Sequence, residues 1–330
     1  MNLTIIHGFD LGAPLVALQW GSCGVPLHAF TRDGRETVID TCSGCLVRSS
    51  SFAAEEIARV LCRPHSDRPS FITAHGVLGS SDGSTPPLTD VRDASWSPNG
   101  RFLGVLNGRG LNVWNVDKRK LVAAPPQVGG FELIAWNPTP GDACGPLAAT
   151  VRTGVLLWSA CGAITQHVFP RSPVATALAW HPAGRYLAVA CADGDVRIVD
   201  PATGQTIRLP GAIGTVRRLL WDHKGAFLIG VSVASLCVWN VPSALHYGSN
   251  HAWTRREAPL TDVALRGTGN LLAAGNIEGK VELLRVNART AMLQSTDFPS
   301  SVSHLAWSAS GKRLAVGTDD GKVSVVRVCR

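Results

Sequence analysis

Apolar and polar positions along this chain alternate in short runs rather than in long helical faces. An apolar run, usually ending in Trp, leads through a turn ending in Gly to a second apolar run, another turn, and a third run often ending in Trp. The phrase appears at Ala94-Ser95-Trp96-Ser97-Pro98-Asn99-Gly100, returns at Leu178-Ala179-Trp180-His181-Pro182-Ala183-Gly184, and closes with Leu305-Ala306-Trp307-Ser308-Ala309-Ser310-Gly311. Its anchors are Trp96, Trp136, Trp180, Trp221, Leu265 and Trp307, separated by steps of 40, 44, 41, 44 and 42 residues. A weaker seventh anchor is Trp20, in Val16-Ala17-Leu18-Gln19-Trp20. Runs of this length, rich in Val, Ile, Leu and Trp and bounded by turn residues, predict β-strands. Asn99-Gly100, and then Asp33-Gly34, Asp193-Gly194, Glu278-Gly279 and Asp320-Gly321, supply tight hairpin turns.

A repeat of roughly 40 to 45 residues with several short strands per unit is the signature of β-propeller blades rather than of a helical solenoid. Seven anchors predict an all-β, seven-bladed ring occupying residues 1–330 as a single domain. The last repeat has strands near Val302 to Trp307, Arg313 to Gly317 and Lys322 to Val328 but no outermost strand, which leaves an open edge. Leu3-Thr4-Ile5-Ile6 is an apolar stretch without another assignment, so it is expected to pair beside Lys322 to Val328 and close the ring. The gap from Trp20 to Trp96 spans 76 residues. Within it, residues 50–69 lack an alternating pattern, and Ser51 to Leu61 reads as a short Ser-capped helix, so the region is expected to be a helix and loop insertion in blade 1. The Gly/Ser/Pro-rich stretch Gly79 to Pro87 reads as a flexible loop.

Composition narrows the function classes. Hydrophobic residues make up 45% and charged residues 17% of 330 positions, enough for a large core. The longest apolar stretch, Ala226 to Trp239, is interrupted by Gly230, Ser232 and Ser235 and falls short of the roughly 20 residues of a membrane span, so no transmembrane segment is expected. No basic segment followed by a long apolar core opens the chain, and an intracellular setting is expected. The net charge of +7 suits acidic partners, anionic membrane surfaces or nucleic acid, but Lys118-Arg119-Lys120, Arg217-Arg218 and Arg255-Arg256 are short clusters without interleaved aromatics, so direct nucleic-acid binding is not expected.

Candidate chemistry is sparse. Cys42-Ser43-Gly44-Cys45 with Cys62-Arg63-Pro64-His65 has paired spacings that could hold a tetrahedral zinc ion, against a background in which most of the nine cysteines sit in apolar runs. Gly79-Ser80-Ser81-Asp82-Gly83 matches a nucleophile elbow only formally, because a polar loop surrounds it. Gly275 to Lys280 lacks the spacing of a phosphate loop, and His246 and His251 lack further ligands nearby. No catalytic or cofactor-binding residues are assigned, no small-molecule substrate is expected, and the chain reads as a non-enzyme. Trp253, outside the inner-strand slots, is the leading partner-binding candidate, with Arg255, Arg256 and the insertion around Glu55 to Arg59 next.

The repeats resemble those of the WD-repeat family across essentially the whole chain, with an eroded motif. Trp is followed by Asn or Ser at 115, 159 and 240, and His75-Gly76 reverses the usual order. Within that family, three stretches are similar in order to the aladin-type nucleoporins. These are Ala135-Trp136-Asn137-Pro138 with Val155-Leu156-Leu157-Trp158, Leu178 to Pro182 with Val196 to Asp200, and Leu219-Leu220-Trp221 with Ser235 to Trp239. The resemblance implies a scaffold subunit of the nuclear pore complex, held at the nuclear envelope through a membrane-embedded nucleoporin. The alternative is a cytosolic WD-repeat adaptor in another multiprotein assembly, and less favoured still is an enzyme with its site in the central channel.

Overall fold

The computed structural model describes residues 2–21, 24–51, 55–64, 69–80, 85, 88–123, 132–139, 145–151, 154–159, 164–168, 174–209, 214–233, 235–242, 251–255, 258–287 and 291–329. Among these residues, thirty-one strands form eight antiparallel meanders, seven with four strands and one with three. The first strand, β1 (Asn2–Asp10), does not join blade 1. Blade 1 is β2 (Leu15–Trp20), β3 (Pro26–Thr31), β4 (Arg35–Asp40) and β5 (Cys45–Ser51). Blade 2 is the three-stranded unit, with β6 (Ile57–Cys62), β7 (Pro69–Thr73) and β8 (Leu78–Ser80). Blade 3 is β9 (Val91–Trp96), β10 (Phe102–Asn107), β11 (Gly110–Asn115) and β12 (Lys120–Ala123). Blade 4 comprises β13 (Ile134–Trp136), β14 (Leu147–Val151), β15 (Gly154–Trp158) and β16 (Ile164–Val168). In blade 5 the order is β17 (Ala175–Trp180), β18 (Leu187–Cys191), β19 (Val196–Val199) and β20 (Thr206–Leu209). Blade 6 contains β21 (Arg218–Trp221), β22 (Phe227–Val231), β23 (Ser235–Asn240) and β24 (His251–Arg255). Blade 7 is β25 (Leu260–Leu265), β26 (Leu271–Asn276), β27 (Lys280–Arg285) and β28 (Ala291–Asp297). Blade 8 has β29 (Val302–Trp307), β30 (Arg313–Thr318) and β31 (Lys322–Cys329), and β1 is its outermost strand.

The ring therefore has eight blades, not the expected seven. The supposed insertion at residues 50–69 contains the end of β5 and all of β6, the inner strand of blade 2, so the helix read from Ser51 to Leu61 does not form. Cys62 occupies the slot that Trp fills in other blades, 42 residues after Trp20 and 34 before Trp96. Alternation in β6 is also broken by a β-bulge between Ile57 and Arg59, which places two residues opposite one and spoils the period of two. The terminal closure takes the expected form over a longer stretch. Leu3 pairs with Val328, Ile5 with Val326 and Asp10 with Lys322.

The cores lie between blades rather than within them, because each sheet is apolar on both faces. Leu106, Leu111 and Val113 of blade 3 pack with Trp136, Leu147 and Leu156 of blade 4. The closing junction buries Leu15, Trp20, Leu27 and Ile39 of blade 1 against Ala315, Val323 and Val325 of blade 8. Comparable clusters bridge blades 2 and 3, 4 and 5, 5 and 6, 6 and 7, and 7 and 8. Among the described residues, no such cluster bridges blades 1 and 2. Glycine is required where a turn meets a neighbouring blade, as at Gly225, which has φ +69° and lies so close to His181 that a Cβ would collide with the ring.

Candidate interaction site

The inner strands carry two interlocking belts. The first is made by the terminal Trp of five inner strands, whose indole N–H donates to the preceding blade. Trp136 reaches the carbonyl of Ser95 at 2.8 Å, Trp180 that of Ala135 at 3.0 Å, Trp221 that of Ala179 at 3.1 Å and Trp307 that of Ala264 at 3.0 Å. Trp20 completes the circle by donating to Ala306 at 2.9 Å. The belt is interrupted at blade 7, where the slot holds Leu265, and around blade 2, where it holds Cys62. The indole nitrogen of Trp96 is buried without an acceptor among the described residues, and the Arg63 guanidinium instead lies 5.3 Å from its ring centroid.

The second belt lies three residues before each anchor. A bulge precedes this position in blades 1, 2, 3, 5, 7 and 8, re-aiming the next side chain. Arg59 pairs there with the buried carboxylate of Asp93, whose second oxygen accepts the amide of Ile134 at 3.0 Å. Four blades further round, Arg218 pairs with Asp262, whose second oxygen accepts the amide of Leu305 at 2.7 Å. The same arrangement thus spans blades 2, 3 and 4 and recurs in blades 6, 7 and 8. In blade 8 the position is His304, whose pKa is lowered by burial, against the opposing pull of the Asp262 carboxylate and of a hydrogen bond to the Val16 backbone. Sequence reasoning placed Arg59 on a partner-binding insertion and missed this pairing, because Arg59 and Asp93 are 34 residues apart and their shared offset is visible only once Cys62 is recognised as an anchor. An open groove of about 430 Å³ lies at this end of the channel, lined by Leu15, Val16, Arg32, Glu56, Ile57, Ala58, Ala74 and His304.

The residues singled out from sequence do not converge. Cys42 is exposed on the turn between β4 and β5, where the Arg313 guanidinium of blade 8 sits 3.5 Å from its sulfur, and Cys45 is exposed at the start of β5. Cys62 faces the other side of blade 1, against Gln19, and burial pushes its thiol up to about 12. His65 lies outside the described residues. Among those residues, no group of three or more His, Cys, Asp or Glu side chains is placed to hold a metal ion. Trp253 and Arg255 fall in β24, the outermost strand of blade 6, opposite Cys237 and Ser235, while Arg256 lies outside the described residues. Of the elbow-like stretch, Gly79 and Ser80 end β8, and Ser81 to Gly83 lie outside the described residues. His251 begins β24, and His246 is outside the described residues. No described helix is long and apolar enough to cross a membrane.

The fold is that of the WD40-repeat propellers. Residues 166–212 and 263–330 match the family model of the anaphase-promoting complex subunit 4 WD40 domain. The C-terminal WD40 domain of Sif2 superimposes with a TM-score of 0.77 at 14% identity, with 99% of each chain covered. The computationally designed Ika8 protein gives 0.76 at 16% identity, covering 98% of this chain and 99% of its own. A chain of the mitotic checkpoint complex gives 0.61 at 16% identity, covering 100% of this chain and 93% of that one. At these identities the likeness concerns the fold alone. No curated protein matches the sequence.

Proposed function

We propose that this propeller is a non-catalytic protein-interaction scaffold, and specifically an aladin-like subunit of the nuclear pore complex held at the nuclear envelope through a membrane-embedded nucleoporin. The observation that carries the scaffold reading is the state of the inner strands. The Asp93 and Asp262 carboxylates, on the inner strands of blades 3 and 7, are tied into inter-blade pairs rather than presented to a substrate. Faces and rims are then the surfaces on which a partner can act, as is common for WD40 propellers. The nuclear-pore reading draws on the order of repeats from Trp96 to Val328 and its similarity to the aladin type.

A second reading, an adaptor in another multiprotein assembly, is favoured by the match of residues 166–212 and 263–330 to the anaphase-promoting complex subunit 4 model. Tagging the protein in its own cell, imaging it and identifying co-purifying proteins separates the two. A punctate nuclear rim with nucleoporins supports the first reading. A diffuse signal with subunits of another complex rejects it in favour of the second.

A further inference from the structure

We propose that the turns leaving the inner strands of blades 5 to 8 form a continuous cationic arc that docks an extended acidic polypeptide segment. The proposal holds whichever assembly the propeller serves, since it rests on one face of the ring alone.

Each blade is an antiparallel meander, so the turns after its first and third strands emerge on one face and the turn after its second strand on the other. On the first face a cation sits beside the turn glycine in consecutive blades: Arg185 after Gly184, Lys224 before Gly225, Arg266 before Gly267 and Lys312 after Gly311. Arg185, Lys224 and Lys312 are exposed and Arg266 is half-buried. In the same blades the opposite face is acidic at its second-strand turns, which carry Asp193, Asp195, Glu278, Asp319 and Asp320, while on the first face Asp200 follows the third strand of blade 5. Along the chain these cations are isolated. The ring gathers them.

The arc is continuous because neighbouring turns touch. Gly225 of blade 6 packs on His181 of blade 5, the His223 ring lies 3.0 Å from the Gly269 carbonyl of blade 7, and Gly311 of blade 8 packs on the Arg266 side chain. Its charge is not cancelled locally. Asp222, within the blade 6 turn itself, is buried and accepts the amides of Phe227 at 2.6 Å and Lys224 at 3.2 Å. Among the described residues, none of Arg185, Lys224, Arg266 and Lys312 has a carboxylate within ion-pair distance.

Two arginines that can each grip a carboxylate with two hydrogen bonds, alternating with two lysines that act as point charges, suit a flexible chain of Asp and Glu. Bases would find no platform here. The Tyr186 and Trp221 rings pack edge-on against His181, with centroids 5.8 and 5.1 Å away, and Trp221 is buried.

The test uses the full chain and two fluorescent probes of matched charge, an alternating Glu-Gly peptide and an oligothymidylate. Anisotropy should report peptide binding that weakens several-fold as salt rises from about 50 to about 200 mM. The combined variant Arg185→Gln, Lys224→Gln, Arg266→Gln and Lys312→Gln should bind about tenfold more weakly with its melting curve unchanged. Arg109→Gln with Lys280→Gln, on the other face, should bind like the parent protein. If the fourfold variant does not fold, Lys224→Gln and Lys312→Gln taken singly should each weaken binding about twofold. Arc variants that bind like the parent, an equal loss from the other face, or oligothymidylate binding as tight as peptide binding would each overturn the proposal, the last in favour of a nucleic-acid surface.

Discussion

The indole N–H of Trp20 donates to the carbonyl of Ala306 at 2.9 Å, joining strands 286 residues apart and closing the ring on its inner circumference. Trp96 occupies the same slot in blade 3, but its indole nitrogen has no acceptor among the described residues. Replacing each with Phe keeps most of the apolar volume and removes only the donor. Trp20→Phe should therefore cost about 1 to 2 kcal/mol, whereas Trp96→Phe should cost clearly less, because an unsatisfied buried donor disappears. Urea unfolding of both variants checks this, and equal losses would show that the belt adds nothing beyond packing.

The same belt decides how much of the fold is legible in the sequence. Trp marks the end of the inner strand in blades 1, 3, 4, 5, 6 and 8, and Leu265 stands in for it in blade 7, so those repeats can be read from spacing alone. Blade 2 has Cys62 in the slot and shows three strands among the described residues, so two cues fail together and Ser51 to Leu61 imitates a helix. The terminal closure is legible because an unpaired apolar strand and an unpaired edge are complementary defects. The Arg59 and Asp93 pairing and the cationic arc are not, since both depend on which residues successive blades bring side by side.

Strand β1 reinforces the closure on the outer circumference, pairing along residues 2 to 10 with β31. Deleting residues 1–10 strips the outer edge of blade 8 and uncovers the cluster in which Ile6 and Phe9 pack beside Leu11 and Leu15. The melting temperature should fall by many degrees, and the bare edge of β31 should promote self-association visible by light scattering. A truncated protein that melts like the intact chain would show that blade 8 is stable with three strands.

Removing either member of the Arg59 and Asp93 pair should not be equivalent. The Arg59 side chain is 52% exposed, so its share of the ion pair is screened, and Arg59→Ala should cost about 1 kcal/mol or less. Asp93 is buried and also accepts the amides of Ala94 at 2.9 Å and Ile134 at 3.0 Å. Asp93→Ala strands a buried amide and should cost about 1 to 3 kcal/mol. The same asymmetry is expected between Arg218 and Asp262. Equal losses on the two sides of each pair, measured by chemical denaturation, would refute the assignment of the carboxylate as the inter-blade joint.

Two histidines set a pH dependence. Burial lowers the pKa of His304, and burial with the nearby Arg185 charge lowers that of His181, each from 6.5. Below that value the unfolded chain takes up protons that the folded chain refuses, so stability falls as pH drops from 6.5 toward the folded values. Asp320 titrates far below this window, its Lys322 and Thr318 hydrogen bonds holding it at about 2, and its contribution is lost only on further acidification. The melting temperature should therefore be lower at pH about 5.5 than at about 7.5, and His304→Gln should flatten part of that difference. An unchanged slope in the variant would remove His304 as a source.

The ring should open first between blades 1 and 2. The other seven junctions are bridged by clusters of buried apolar residues, whereas among the described residues no such cluster spans this one, although Phe30 and Ile57 are themselves buried. The Ile57 amide donates to Arg32 at 2.8 Å, Arg32 and Glu56 form an ion pair at 3.5 Å, and Cys62 meets Gln19. Both members of that ion pair are more than half exposed, so it adds little. Blade 2 shares its hydrogen bonds among three described strands, and a groove lined by Ile57 and His304 lies beside the seam. Local opening tracks the regions with the fewest buried apolar contacts. Amide exchange should accordingly be fast at Ile57 to Cys62 and slow at Leu187 to Cys191, the second strand of blade 5, where every residue is fully buried. Exchange in β6 as slow as in β18 would mean that the polar contacts hold the seam as firmly as an apolar core does.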